Sequence, residues 1–590
     1  MNLQRTPLVF VIGGVICAFF IASVWSAYTS YQTTRYDDPL ALIDALPLLF
    51  YVTVACFATL CVYLGFFGKL QWYFQLSMLL ILCFMLWATP YFFTNFVRLP
   101  LGTWKIAQSI HVEEILKGAN FPISWYARDY PGSFVFNGVL LQVTGFDPLW
   151  YVNRAYPVLE IVSLVLLIYV LISRIFDRQI ALLSTLFMIP GMHYVILQPA
   201  PSTYGLMLFI SSLICLSFDS RAATIMVVVF SSMLIISHPV YALLLLLFLL
   251  AALIVGHFRH DLKLHLSIRS FTCTAIFFIL WESFSVAAQD SVFARLGSFS
   301  VLNLLSSLFG QGQATSVGVS VFANIDLLAK VVYLIYFLSA TIFLAILLFK
   351  SKPDTGKIFH GGKRLLQHFT ANQIWVISGV LIAGLTGVYL YARTPDEAER
   401  SVFLFILLCS SLVASGISTF VGGSEQRVGP LHINGQRRKK VIAILSIALF
   451  SSLTLLYPVV SYSVDSYSNF PTAEETGLKF LSAKYQNQNL LILVAEGQFL
   501  LYCQSFHLVG NDPWVYAKSP EQIQDAITKE ISASDIIVLR KTAFFYSAIK
   551  LDHSFDDNRF ILTEQALESN LTNNVYSTPS LNIYVRTNGS

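Results

Sequence analysis

The sequence predicts a polytopic α-helical membrane protein that ends in a soluble α/β domain. Three observations predict it. Of its 590 residues, 56% are hydrophobic and only 12% charged, whereas soluble globular chains carry about 25% charged residues. Apolar runs near the 20 or so residues that a bilayer crossing needs recur as far as residue 461. Beyond Asp465 the composition changes abruptly, and short apolar stretches alternate with polar amphipathic ones. The formal charge of +4 is too small to argue for a nucleic-acid partner; what matters is where Lys and Arg fall along the chain.

The first apolar run, from Thr6 to about Tyr28, is longer than the core of a secretion signal and lacks a small-x-small cleavage site. It is read as a spanning helix with its amino end in the cytoplasm. Further spans are expected near 43–66, 72–92, 153–174, 178–197, 203–218, 222–238, 240–257, 270–288, 326–349, 372–392, 402–421 and 441–461, about thirteen in all. Alternate connections then collect the basic residues, as short cytoplasmic loops do. Lys69, Arg174 and Arg178, Arg221, Arg259 with Lys263 and Arg269, Lys350 to Arg364, and Arg427 to Lys440 fall on one side. Opposite them lie the loops 93–152 and 289–325, the short turn 393–400 and the whole carboxyl tail. The reading is therefore a transmembrane domain over 1–464 and an extracytoplasmic α/β domain over 465–590, in an integral multi-pass protein of the cell membrane.

In the tail, LLILVAEG, DIIVLRK and LNIYVR read as strands, and TAEETGLKFLSAKY and SPEQIQDAITKEI as helices. Two N-x-S/T acceptors, at Asn570 and Asn588, fit an external location. The eight cysteines are scattered and form no metal or disulfide motif, so they are read as packed thiols, Cys503 included.

Chemistry is expected in the loop 93–152, which is too rich in polar and aromatic residues for a passive connection. Within it TWKIAQSIHVEEILKGAN reads as an amphipathic helix carrying Trp104, His111, Glu113 and Glu114. Its charged face could equally be a solvated face on an interfacial helix. Arg128 and Asp129 precede Tyr130-Pro131-Gly132, a turn that no helix continues through. The apolar segment from this turn to Thr144-Gly145 is too short to span and is read as lying in the interface. Arg393 and Arg400 project from another turn on the same side. Carboxylates facing arginines suit transfer from a lipid-linked phosphate, with a base for the acceptor hydroxyl and cations for the leaving phosphate. Inside spans, Glu160 and Glu282 each raise a functional hypothesis beside a bland one, that of a paired packing residue. His193 and His238 sit at the outer ends of helices, where a structural histidine bonded to a carbonyl is the ordinary account.

The order of acidic helical loop, Tyr130-Pro131-Gly132 turn, interfacial segment, Thr144-Gly145, Arg154, a long helix with Tyr169 and Arg174, Pro199 to Ser202, Ser237-His238-Pro239 and Glu399-Arg400 resembles the GT-C class of polytopic glycosyltransferases. That class contains protein O-mannosyltransferases, aminoarabinose transferases and oligosaccharyltransferase catalytic subunits, and the last elements with the external α/β tail are similar to archaeal members. The resemblance implies a GT-C-like fold and transfer of a sugar from a polyprenyl-phosphate donor to a glycan, lipid or protein acceptor on the outer face. An acidic residue of the first large external loop would be the base. Where the family carries an Asp just before the aromatic that matches Trp104, this chain has Leu101-Gly102-Thr103, and it has Ser202 where many members have Asp. Asp129, Glu113 or Glu114 must then supply the carboxylate, with Arg128, His111, Trp104, Tyr130, Arg154, His238, Arg393 and Arg400 as substrate-binding candidates. The alternatives are a catalytically silent subunit or lipid-glycan binding protein, with a partner subunit supplying the missing acid, and a lipid-linked sugar transporter. A transporter predicts inverted repeats, and the sequence has no repeat of fixed period. No cofactor is implied; carboxylates can hold a hard divalent cation, but no ligand spacing argues for a metal.

Overall fold

The computed structural model describes residues 6–31, 41–67, 71–89, 96–98, 129–146, 155–192, 201–284, 331–343, 370–391, 395–422, 435–465, 470–471, 490–493, 536–540, 572–577 and 581–586, with isolated positions such as Val112 and Tyr151 between them. Every expected span falls on a helix. They are α1 (Thr6–Tyr31), α2 (Leu48–Phe67), α3 (Trp72–Cys83, continued by a π-helical turn over Phe84–Ala88), α5 (Tyr156–Ile175), α6 (Arg178–Met188), α7 (Pro201–Leu216), α8 (Arg221–Ile235), α9 (Pro239–Phe258), α10 (Ile268–Phe284), α11 (Val331–Phe343), α12 (Ala371–Tyr391), α13 (Pro395–Gly422) and α14 (Gly435–Asp465). Between α3 and α5 lies the shorter α4 (Gly132–Thr144). Among the described residues, six helices are long and apolar enough to cross a membrane: Phe10–Ala27, Leu48–Phe67, Tyr156–Ile175, Pro239–Phe258, Ser401–Ser418 and Lys440–Pro458. The protein is an integral, multi-pass membrane protein.

Local chemistry sets the helix ends. Asp177 caps α6 by accepting from the Ile180 amide at 2.8 Å, and Ser220 caps α8 by accepting from the Ala223 amide at 3.1 Å. Pro190-Gly191 close α6 in a single 3-10 turn, so it stops short of the expected 197 among the described residues. Helix α13 begins at Pro395, an N-terminal position that proline favours. Arg400 therefore stands on a helix, where the sequence suggested a turn.

The apolar core runs through the whole bundle with α13 at its centre: its Ser401–Ser418 window is 83% buried, against 11% for Phe10–Ala27 on the periphery. Lipid tails are as apolar as the core, so close packing and short polar bonds tie these helices together. Ser184 and Ser411 share a hydrogen bond of 2.9 Å between α6 and α13, and Thr59 and Ser451 one of 3.2 Å between α2 and α14.

At the end of the bundle that gathers the basic loops, the segment between α9 and α10 is stitched to two other helices. Asn372 accepts from the Lys263 amide at 3.0 Å and donates to the Ile175 carbonyl at 2.7 Å. Asp261 takes a bidentate pair of bonds from Arg259 and accepts from the Ala371 amide at 3.0 Å, a carboxylate on the positive end of α12.

In the tail, β3 (Leu490–Leu493), β4 (Ile536–Arg540), β5 (Thr572–Ser577) and β6 (Leu581–Arg586) form one sheet in the order β3-β4-β6-β5. The β3-β4 pair is parallel, and the β4-β6 and β6-β5 pairs are antiparallel. The three strands expected from the sequence are all present, and β5 is an addition to them. Of the first expected tail helix, Gly477, Phe480, Leu481 and Ala483 are helical; the second lies outside the described residues. A two-stranded ladder, β1 (Phe96–Arg98) on β2 (Phe470–Pro471), joins the start of the loop 93–152 to the start of the tail. Both therefore emerge on one side of the bundle.

Candidate functional site

The site is built on the turn that opens α4. Proline and glycine at 131 and 132 break the chain direction, and the helix that follows has an inverted character for a soluble protein. Its inward face holds Ser133, Phe134, Asn137, Gly138 and Leu141, while Val135, Phe136, Val139 and Val143 are exposed. Polar groups inward and valines outward suit a helix resting against lipid. It ends at Gly145, whose φ of 66° is the left-handed conformation that glycine adopts without strain, and whose amide reaches the Leu141 carbonyl at 2.8 Å.

Asp129 is 9% exposed and Tyr130 1%. The turn is fastened to the bundle at three points. The Trp281 indole donates to the Asp129 carbonyl oxygen at 3.1 Å, and the Tyr130 hydroxyl donates to Glu282 Oε2 at 2.8 Å. The Gly132 amide donates to the Ile236 carbonyl at 3.0 Å. A Cβ at Gly132 would sit 2.1 Å from Ser237 Oγ, so any larger residue here forces Ser237 to move. Glu282 is 1% exposed, and the Asp129 and Glu282 carboxyls are close enough for their charges to interact. The span carboxylate singled out in the sequence thus belongs to the same constellation as the turn.

Beneath α4 a small apolar cluster of Val112, Phe134, Leu141, Tyr151 and Tyr156 joins the loop to the start of α5. The Tyr151 hydroxyl donates to Asn137 Oδ1 at 2.8 Å. Burial, and after it the charge of Glu160, push the Tyr151 phenol well above its ordinary pKa, so it stays a donor. Glu160 is fully buried in the second turn of α5.

His238 is fully buried and caps α9, its Nδ1 accepting from the Tyr241 amide at 3.3 Å. The proton then sits on Nε2. The bond described at His238 is accepted from a backbone amide, where the sequence suggested one donated to a carbonyl. Of the expected site residues, the structure brings together Asp129 and Tyr130, and places Ser237-His238 against Gly132 through the Ile236–Ser237 contacts. Trp104, His111, Glu113, Glu114, Arg128, Arg154, His193 and Arg393 lie outside the described residues, and of Arg400 only the helical backbone is described. Among the described residues no group of three His, Cys, Asp or Glu side chains is placed to hold a metal. What sequence reasoning missed is the role of Trp281 and the partner of Glu282; the signal available was a Trp-Glu pair at the end of an apolar span.

No protein-family model matches the sequence, and no curated protein matches it. Solved structures are similar in layout. ArnT from Cupriavidus metallidurans, bound to undecaprenyl phosphate, is 11% identical with a TM-score of 0.49, over 88% of this chain and 98% of that one. The Archaeoglobus fulgidus oligosaccharyltransferase in its apo form is 12% identical with a TM-score of 0.48, over 89% of this chain and 75% of that one. The archaeal oligosaccharyltransferase AglB from the same organism, in complex with an inhibitory peptide and a dolichol-phosphate, is 10% identical with a TM-score of 0.37, over 91% of this chain and 74% of that one. Identities this low match no individual residue.

Proposed function

We propose that the chain is a membrane glycosyltransferase that moves a sugar from a polyprenyl-phosphate-linked donor to a glycan, lipid or protein acceptor on the outer face of the membrane. The observation that carries the reading is Asp129, a carboxyl only 9% exposed, held at the head of a helix that turns its valines toward lipid. A general base has to be fixed within hydrogen-bond reach of the proton it takes. Bonds that hold the turn beside a helix with exposed valines support that reading.

In the transfer, the acceptor hydroxyl gives its proton to the carboxylate as its oxygen bonds to the anomeric carbon. The bond from that carbon to the phosphate oxygen breaks, and the phosphate leaves with the electron pair. Fixed cations stabilise that leaving charge, and Arg128, Arg154, Arg393 and Arg400 are this chain's candidates. Trp104, His111, Tyr130 and His238 complete the substrate-binding set, and Glu113 and Glu114 are the other bases that the loop offers. The carrier class comes from the sequence resemblance; the ArnT and AglB structures were solved with undecaprenyl phosphate and dolichol-phosphate respectively.

A second reading is favoured by one specific observation, Leu101-Gly102-Thr103 standing where the resembled family carries its Asp. On it the chain is a silent GT-C-like subunit whose partner brings the acid. Membranes containing the chain, offered labelled sugar on polyprenyl-phosphate donors with a panel of acceptors, separate the two. Transfer that depends on the chain supports the enzyme; none from any donor supports the silent subunit.

A further inference from the structure

Consecutive residues of α10 hold consecutive residues of the turn that carries the candidate base. Trp281 reaches back to the Asp129 carbonyl at 3.1 Å, and Glu282 accepts from the Tyr130 hydroxyl at 2.8 Å. Neither bond involves the Asp129 carboxyl. On a helix, neighbouring side chains diverge by about 100°, so the two contacts fix the turn along two directions. With the Gly132 amide on the Ile236 carbonyl at 3.0 Å, the turn is referenced to α10 and to the link between α8 and α9. Supports of this kind on rigid elements are what hold a reacting group to within a fraction of an ångström.

A buried carboxyl is an expensive way to supply one acceptor. Glu282 is 1% exposed, and Tyr130 is its one hydrogen-bond donor among the described residues. A packing residue alone would be served as well by leucine. We infer that Trp281 and Glu282 are positioning residues, a clamp that sets the height and direction of the Asp129 turn over the end of the bundle. The inference rests on the proposed function for what the turn is positioned to do; the clamp itself is a claim about the turn.

Two readouts on the full chain in detergent separate these levels. Hydrogen exchange of the peptide spanning Asp129–Val135 reads the clamp directly, because local opening is governed by the bonds that hold the segment. Trp281→Phe and Glu282→Ala each remove one bond and are expected to speed exchange there by about two- to tenfold, with exchange in α2 and α13 unchanged. Glu282→Gln keeps an acceptor oxygen and is expected to restore most of the protection. Sugar transfer reads the consequence. A misplaced base lowers kcat by about tenfold or more with little change in KM, again recovered in Glu282→Gln. Wild-type exchange in both Trp281→Phe and Glu282→Ala overturns the clamp, whether or not transfer is detected. Faster exchange with kcat and KM both unchanged overturns the positioning role. If the wild type transfers nothing, the proposed function fails, and the clamp stands or falls on exchange alone.

Discussion

Replacing Gly132 by alanine tests the docking of the turn more sharply than any deletion, because it adds a single methyl group. The new Cβ would lie 2.1 Å from Ser237 Oγ, 3.1 Å from Ser237 Cβ and 3.2 Å from Ile236 Cγ1. Ser237 can swing its hydroxyl aside, but that hydroxyl donates to the Met233 carbonyl at 2.6 Å, and losing the bond costs about 1 kcal/mol. The contacts to Ser237 Cβ and Ile236 then remain tight, and relieving them strains the neighbouring Gly132 amide bond to the Ile236 carbonyl at 3.0 Å. Overpacking of this order destabilises by about 1–3 kcal/mol. The assay is equilibrium unfolding of the purified chain in mixed micelles, run as a double-mutant cycle with Ser237→Ala. In the Ser237→Ala background the hydroxyl is gone and there is no bond to lose, so the alanine penalty should shrink by about 1 kcal/mol, a coupling typical of residues in contact. A Gly132→Ala protein as stable as wild type, or a penalty undiminished by Ser237→Ala, would refute the close approach of these two turns.

Two further predictions concern the frame that carries the site. Bonds from Arg259 and then from the Ala371 amide hold the Asp261 carboxyl below its usual pKa. A carboxyl depressed in the folded state stabilises it above the unfolded pKa of about 4, and that contribution is lost as pH falls through the folded value. Stability measured against pH should therefore drop more steeply below about pH 4 in wild type than in Asp261→Asn; parallel curves would contradict the assignment. In a background freed of the native cysteines, of which Cys56 and Cys273 are exposed, single cysteines replacing Ser300 and Lys357 should respond oppositely to a membrane-impermeant maleimide. Ser300→Cys is expected to label from outside and Lys357→Cys only after permeabilisation, and labelling of both from one side would break the alternation of loops.

The helices were legible because bilayer crossing leaves a length and a composition in the sequence. Strand β5, TNNVYS, was not legible: it is polar and asparagine-rich, and its place comes from pairing with β6 across a register shift between Asn574 and Tyr576. Nor was the β1-β2 ladder, since three residues meeting two carry no periodicity. At the site, the Tyr130-Pro131-Gly132 turn and the Gly145 stop were readable as local chemistry. The partner of Glu282 was not, because the Tyr130 hydroxyl comes from 152 positions away, and only the fold brings it there. Charge in a span marked Glu282 as needing an explanation; it did not say which one. His238 was ambiguous for a related reason, since a histidine before a proline reads alike whether it caps a helix or meets a ligand.

The most direct test of the central claim is the rate of sugar transfer from a polyprenyl-phosphate donor by wild type, Asp129→Asn and the double variant Glu113→Gln/Glu114→Gln, compared at equal protein level. If Asp129 is the base, Asp129→Asn should lose about 10²- to 10⁴-fold in kcat while the double variant keeps most of its activity. Transfer undiminished in Asp129→Asn would contradict the account, and a collapse confined to the double variant would move the base to Glu113 or Glu114.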